Sequence, residues 1–525
     1  MRKLYKGWLA KQAPRRLAKT LVVSAFALMI PTTAYGAAGT MGFSGGISEG
    51  NRMPMVTERL LDPSLNGRRD ITGNFLYSEV VFISGIPTEI TGEVTLSGGD
   101  ISDAAFGNFS RTIAVSSDAE DGENLTRDMT FSVDWRREGD QVIKNYSVSS
   151  WTETITAPVG FASDGTPEME TFTLDEDRSE FTISILEDHN PGITFYRGNI
   201  SKRAVFMGET GDYIKEVSGV IYGFDSPYSS TETQRLDVFV LAPNWQMSYQ
   251  IRPSVSVTTS LMYNPTTPTP ISFAGNYMHF MQNNSVLAYD IFIVPAPYHF
   301  IEREGSATIA TRQTFEQLIS PDLSHLRGHF AERDISRLFA QQILTSQPQH
   351  FVPSQVMTRG EFIVALVHAL RIEVPTIQPL NAFNRTARIV FPDVTRERPE
   401  YPIIMAAYRA GIAHGRNDGN FHIDSPITRE EVVTVLIRAL GLENVAPNPT
   451  PVTVFADSGN VSTWARRELQ AAYELGIISG DTNGNFHPRR QITKAEASAL
   501  INRFIDYMRE DLVHDYQERM VNFVW

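Results

Sequence analysis

The chain has 525 residues, 42% of them hydrophobic, enough to bury several cores and too many for a chain disordered by composition. It has no cysteine, which excludes disulfide scaffolds, thiolate metal sites and cysteine nucleophiles. Its formal net charge of −14 argues against nucleic-acid binding and non-specific adhesion to anionic surfaces, so an acidic polymer would have to be gripped at discrete, locally cationic sites.

The N-terminus opens with Arg2, Lys3, Lys6, Lys11, Arg15, Arg16 and Lys19, without an acidic residue. An apolar run at 21–30 follows, then Ala34 and Gly36 at the −3 and −1 positions for cleavage before Ala37. This layout predicts a secretory signal peptide over residues 1–36. Ten apolar residues fall short of the ~20 that a membrane-spanning helix needs, and no later segment reads as such a helix. Loss of the peptide removes seven basic residues and moves the net charge to −21.

Residues 37–305 are rich in Thr, Ser, Val, Ile and aromatics, in short runs broken by Gly, Pro, Asn and Asp. Runs at 75–83, 129–135, 142–149, 180–186, 213–222, 236–241 and 286–294 predict an all-β extracellular region of one or two sandwiches. Stretches 118–123, 160–167 and 264–270 read as loops. No His-Glu-x-x-His, Gly-x-Ser-x-Gly or P-loop motif occurs, so no catalytic residue, cofactor or metal is assigned. Two acidic clusters, Glu168, Glu170, Asp175, Glu176 and Asp177, and then Glu187, Asp188 and His189, fit a glycosidase pair or a Ca²⁺ site. Acidic turns are the commoner origin of such clusters. Trp135, Trp151 and Trp245 could line a sugar cleft, although core packing is their commoner use.

From about residue 311 the texture becomes helical, with 3.6-residue periodicity, and Pro-rich breaks near 374–379 and 446–451 separate three units. Their boundaries are 306–375, 388–443 and 452–508, followed by a helical tail at 509–525. The second and third units superpose at offsets of 64 or 65 residues. Phe391 and Asp393 answer Phe455 and Asp457; Gly411-Ile412 answers Gly476-Ile477. Gly415, Gly419 and Phe421 answer Gly480, Gly484 and Phe486, and Ile427, Thr428, Arg429 and Glu431 answer Ile492, Thr493, Lys494 and Glu496. The first unit keeps Gln342-Ile343 and Met357, Thr358, Arg359 and Glu361 but lacks both turn glycines.

Thr358/Glu361, Thr428/Glu431 and Thr493/Glu496 have the spacing of capping boxes, a sufficient structural reason for those six residues. Between them, Arg359, Arg429 and Lys494 occupy N1, where a cation opposes the helix dipole. Repeated three times, this departure calls for compensation: a bound anion at the free N–H groups of the helix start, or an ion pair with a nearby carboxylate.

Units two and three resemble S-layer homology domains nearly throughout, and unit one resembles them at its two ends. The shared pattern is an opening Phe-x-Asp, an aromatic before a helix, Gly-Ile, a Gly-x-x-x-Gly-x-Phe turn, and Ile-Thr-Arg-x-Glu leading a second helix. The resemblance covers about residues 318–510 and leaves 37–305 untouched. It implies an all-α pseudo-threefold module whose grooves hold a secondary cell-wall polysaccharide carrying pyruvate ketals, with Arg359, Arg429 and Lys494 facing the ketal carboxylates. Lys494 lacks the guanidinium fork, implying a weaker third contact. Gly415, Gly419, Gly480 and Gly484 would admit a sugar to the backbone or serve as turn glycines. Tyr401 and Trp464 (with Phe330 in unit one) would stack on a sugar or anchor a helix. Asp393 and Asp457 would accept sugar hydroxyls or cap the next segment, and Asp322 is the candidate counterpart in unit one. The expected protein is exported, anchored non-covalently to the cell wall and displaying its β-rich region, as an S-layer or envelope component able to self-assemble. The alternatives are an anchored polysaccharide-acting enzyme and an anchored adhesin or carbohydrate-binding protein.

Overall fold

The computed structural model describes residues 37–41, 46–50, 73–81, 88–98, 104–118, 125–161, 167–243, 245–265, 276–295, 301–308, 312–372, 374, 390–416, 418–446 and 454–516. Segment 1–36, expected to be a signal peptide, and the end of the tail lie outside the described residues. The strands are β1 (Ala37–Met41), β2 (Gly46–Gly50), β3 (Gly73–Val81), β4 (Thr88–Gly98), β5 (Phe106–Asp118), β6 (Leu125–Glu138), β7 (Gln141–Phe161) and β8 (Pro167–Leu174). They continue as β9 (Glu180–Asn190), β10 (Ile193–Met207), β11 (Asp212–Asp225), β12 (Ser229–Leu241), β13 (Trp245–Asn264), β14 (Asn276–Pro295), β15 (Ile301–Thr308) and β16 (Arg312–Ile319).

All sixteen belong to one sheet. Most neighbours in sequence pair antiparallel, but β8 pairs with β7 and β10, β9 lies between β7 and β10, and β16 pairs with β14. Where one or two sandwiches were expected, the strands are joined in a single hydrogen-bonded sheet. Alternation in sequence reports only that one face is buried, and what covers that face is decided by distant parts of the chain. The sheet also runs past residue 305: Arg312–Ile319 pairs with β14, inside the span 306–375 expected for the first repeat unit.

Period-two burial is clear in β6, where Met129, Phe131, Val133 and Trp135 are buried. Hydroxyl pairs link neighbouring strands, with Thr112–Thr130 at 3.0 Å, Thr156–Thr171 at 3.1 Å and Thr233–Ser254 at 3.1 Å, which accounts for the Thr/Ser-rich texture. In β7 the register shifts opposite the Thr130–Phe131 step, leaving Ser149 as an extra residue. Such a bulge inverts the inward parity. Val142, Lys144 and Tyr146 are buried before it, and Trp151 and Ile155 after it.

The buried face carries charge as well as apolar bulk. Arg127 grips Glu153 through Nε and Nη2, both at 3.0 Å, and Trp151 Nε1 donates to Glu153 at 2.9 Å. Lys202 stands 3.8 Å from Glu153, with Nζ 4.8 Å from the centre of the Trp151 ring. Nearby, Glu187 accepts from Lys144 at 2.9 Å and pairs with His189 at 2.8 Å.

The helical part contains α1 (Glu332–Ala340), α2 (Arg359–Ala369), α3 (Tyr401–Arg409), α4 (Arg429–Leu440), α5 (Arg466–Glu474) and α6 (Lys494–Asp506), two per repeat unit. The opening helices α3 and α5 end on left-handed glycines, Gly411 at φ 75° and Gly476 at φ 70°. In unit one the exposed Gln342 holds the same conformation at φ 58°. Gln342→Gly should therefore raise stability by about 0.5–1 kcal/mol, read from the urea midpoint, because only glycine enters this region without steric cost.

Three backbone hydrogen bonds tie the units in a closed circuit. Met357 N donates to Ile492 O (2.9 Å), Ile427 N to Met357 O (3.2 Å) and Ile492 N to Ile427 O (3.1 Å). All three residues are buried. The sheet joins the same core: Ile193, Phe224 and Tyr228 pack with the helices in one cluster. Gly192 N donates to Ala439 O at 2.6 Å, and Tyr228 OH to Ala369 O at 2.8 Å. Beyond α6 the chain stays helical to Asp515, and Tyr516 stacks on Phe195 at 5.8 Å while donating to Gly223 O at 3.0 Å. No helix among the described residues is long and apolar enough to cross a membrane.

Candidate functional site

The closing helices α2, α4 and α6 start at the seams between units. Each has a complete capping box: Thr358 with Glu361, Thr428 with Glu431, and Thr493 with Glu496. The donors expected to be free at these starts are occupied. Arg359 N and Gly360 N donate to Ser425 O (2.9 Å) and Ile423 O (2.8 Å) of unit two. Arg429 N and Glu430 N bond Arg490 O and Pro488 O of unit three, each at 3.0 Å. Lys494 N and Ala495 N bond Gln355 O (2.8 Å) and Pro353 O (3.0 Å) of unit one. The helix N-termini thus bind the neighbouring unit, and any anion at a seam must be met by side chains.

Those side chains differ from seam to seam. At the first seam Arg359 crosses to unit two, with Nη1 3.3 Å from Glu431 Oε1, Nη2 donating to His414 O at 2.9 Å, and its guanidinium 5.1 Å from the Phe421 ring. Arg416 donates to the same Glu431 oxygen at 3.0 Å. At the second seam Arg429 donates from Nε to Phe486 O at 2.9 Å and lies 4.8 Å from the Phe486 ring. Arg490 takes Glu496 at 2.6 Å, so neither Nη of Arg429 has a hydrogen-bond partner among the described residues. Burial lowers the pKa of Arg429, and the adjacent Arg490 adds to the effect. At the third seam Lys494 Nζ is held by Glu361 at 2.6 Å. At the first two seams a second arginine, Arg416 or Arg490, bonds the capping-box glutamate, while at the third Glu361 holds Lys494.

The remaining candidates divide. Asp393 accepts from the backbone of Phe421 (2.8 Å), His422 (2.6 Å) and Ile423 (3.3 Å); Asp457 does the same for Phe486 (2.8 Å) and His487 (2.7 Å). Burial would raise the pKa of Asp393, but the three amide donors outweigh it and lower it. These carboxylates hold a turn in which His422 and His487 take left-handed φ of 60° and 57°. Asp322 bonds Ser324 of its own turn, accepting from its N at 3.0 Å. Gly419 and Gly484 have φ of 79° and 77°, as their turns require; Gly415 packs on Phe391, and Gly480 on Gly484. Tyr401 is half-buried against the core, whereas Trp464 is 48% exposed and Phe330 73% exposed, so neither of these two rings anchors its helix in the core. Trp464 lies two residues from Ser462, which bonds Glu430 beside Arg429. Arg416 and Arg490 escaped the sequence reading because they occupy non-equivalent repeat positions and converge only in three dimensions.

In the sheet, the acidic clusters are engaged locally. Glu170 accepts from Thr210 N (3.1 Å), Glu176 from Trp151 N (2.9 Å), and Asp175 pairs with Arg178 (3.6 Å). Trp135 and Trp151 are core residues, and Trp245 packs on Tyr213 at 6.0 Å.

Residues 390–433 and 454–498 match the model of the S-layer homology domain. The chain is 30% identical over 184 residues to an endoglucanase of Bacillus sp. (strain KSM-635), covering 35% of this chain and 18% of that protein. It is 30% identical over 136 residues to a cell surface protein of Thermoanaerobacter kivui (26% of this chain, 18% of the relative), and 28% identical over 151 residues to an S-layer protein of Bacillus thuringiensis subsp. finitimus (29% and 17%). It spans less than a fifth of each of these relatives. Residues 390–498 thus hold two S-layer homology domains in tandem. The protein is a cell-surface protein built from a β-rich N-terminal region and this helical C-terminal region.

Proposed function

We propose that the three units act together as a pseudo-threefold anchor that binds a pyruvylated secondary cell-wall polysaccharide between neighbouring units, holding the sheet on the outside of the wall. The observation that carries this reading is Arg429: a guanidinium stacked on Phe486, with both Nη groups unpartnered among the described residues, beside a second arginine. A ketal carboxylate supplies the bidentate acceptor that this fork lacks. The exposed Trp464 ring, near the same seam, offers a face for the sugar. Arg359 makes the second contact and Lys494 the weakest. For the sheet the proposal is display without catalysis, since Glu170, Glu176 and Glu187 are drawn into local bonds.

The test is co-sedimentation of the full chain with wall preparations, because the helices share their core with the sheet. Retention is expected on walls carrying the polymer and is expected to be lost after mild acid removes the ketals. Equal retention on walls stripped of the polymer would reject the reading.

A further inference from the structure

The seams follow one rule and break it once. In two of them the N1 cation of one unit bonds the capping-box glutamate of the next: Arg359 Nη1 lies 3.3 Å from Glu431 Oε1, and Lys494 Nζ 2.6 Å from Glu361 Oε1. Carried round the circuit, the rule pairs Arg429 with Glu496. Instead Arg490 takes that carboxylate with both prongs of its guanidinium, Nη2 to Oε1 at 2.6 Å and Nη1 to Oε2 at 3.2 Å. Unit two has Ser425 at the matching place, with no charge to compete for Glu431. Arg416 also bonds Glu431, but through one nitrogen, and it leaves Arg359 in contact.

What remains at the second seam is positive charge around an open fork. Arg429 is half-buried, with Nε fixed on Phe486 O and both Nη atoms unbonded among the described residues and open to solvent. Arg490 is held beside it by the bond from Arg429 N to Arg490 O at 3.0 Å, and the exposed Arg503 of α6 adds a third cation to the field on Arg429. Two carboxylates oppose them. Glu496 is committed to Arg490 and to its own helix start, and Asp457 to the amides of Phe486 and His487. We propose that Arg490 is a positioning residue of the wall-polymer site: by holding Glu496 it keeps the Arg429 fork free, so that the second seam accepts a carboxylate without first breaking an ion pair. This rests on the reading of the seams as carboxylate sites. Arg490 acts through Glu496 and need not touch the ligand.

Arg490→Ser gives unit three the residue that unit two carries, and Glu496 is then expected to close on Arg429 as Glu431 does on Arg359. The probe is the pyruvate ketal of a methyl N-acetylhexosaminide, titrated into the full chain by calorimetry. Its binding should weaken about tenfold in Arg490→Ser, the scale of a lost charge-assisted fork. Adding Glu496→Gln should restore it, because glutamine still completes the capping box but carries no charge to hold Arg429. Direct ligand contact by Arg490, or a merely structural role, would leave the double variant as weak as the single one. The contact itself is read without ligand, from a double-mutant cycle on the urea midpoint. Arg429→Ala and Glu496→Gln should be nearly additive in the parent and clearly coupled in Arg490→Ser. Unchanged ketal binding in Arg490→Ser, no restoration in the double variant, or the same coupling in both backgrounds overturns the proposal. A parent that does not bind the ketal overturns the carboxylate reading of the seams itself, and the role of Arg490 with it.

Discussion

Arg429→Ala is expected to weaken binding of the full chain to purified wall polymer by about tenfold or more, the scale of a charge-assisted bidentate hydrogen bond. Stability should change little. The substitution removes the Phe486 stack and one bond to Phe486 O, together about 1–2 kcal/mol, but it also removes a cation from a helix first turn, a gain of about 0.3–1 kcal/mol. The three seams make the prediction sharper. Arg359→Ala should cost less binding than Arg429→Ala, because Nη1 and Nη2 of Arg359 already bond Glu431 and His414 O. Lys494→Ala should cost least, since its ammonium is bound by Glu361 and must be released before it can meet a ligand. Titration of each variant with the polymer, alongside its Tm, checks the order. If Lys494→Ala proved the most damaging, or if Arg429→Ala unfolded the protein, binding at the second seam would be refuted.

The repeat units were legible because their signals are local. A Thr with a Glu three residues on fixes a helix start, and a Gly before Ile fixes a helix end, whatever surrounds them. Local signals do not reveal what faces a helix start. The N–H groups of Arg359, Arg429 and Lys494 look free in one unit and are filled by the next. Nor does the repeat alignment flag Arg416 and Arg490, since Asp481 and Ser425 stand at the matching places. The same limit governed the sheet. Alternation marked the strands, but the extra residue Ser149, the continuation through Arg312–Ile319 and the closure into one sheet all depend on pairing between distant segments. Tyr228 and Tyr516, which fasten sheet to helices, sit outside any repeat and carry no pattern of their own.

Glu153 is where the sheet should prove most vulnerable to acid. Burial alone would raise its pKa, but Arg127 and Lys202 outweigh burial and hold it at about 2, against an ordinary value of 4.5. The folded-state value is depressed, so the stabilisation is fully present above pH 4.5 and is lost as the pH falls toward 2. The amount at stake is on the order of 3 kcal/mol. Glu153→Gln keeps the shape but takes one counter-charge from the buried Arg127 and Lys202, which should cost about 3–5 kcal/mol at pH 7. Because the variant has already lost this carboxylate, its stability should fall less steeply than the parent's between pH 4.5 and 2, and the gap between the two should narrow in acid. Urea unfolding of both proteins across that range measures the slopes. Parallel slopes would mean that Glu153 is not the group protonated there, and the acid sensitivity would have to lie with other carboxylates, of which Asp393, gripped by three backbone amides and with a lowered pKa, is the next to examine.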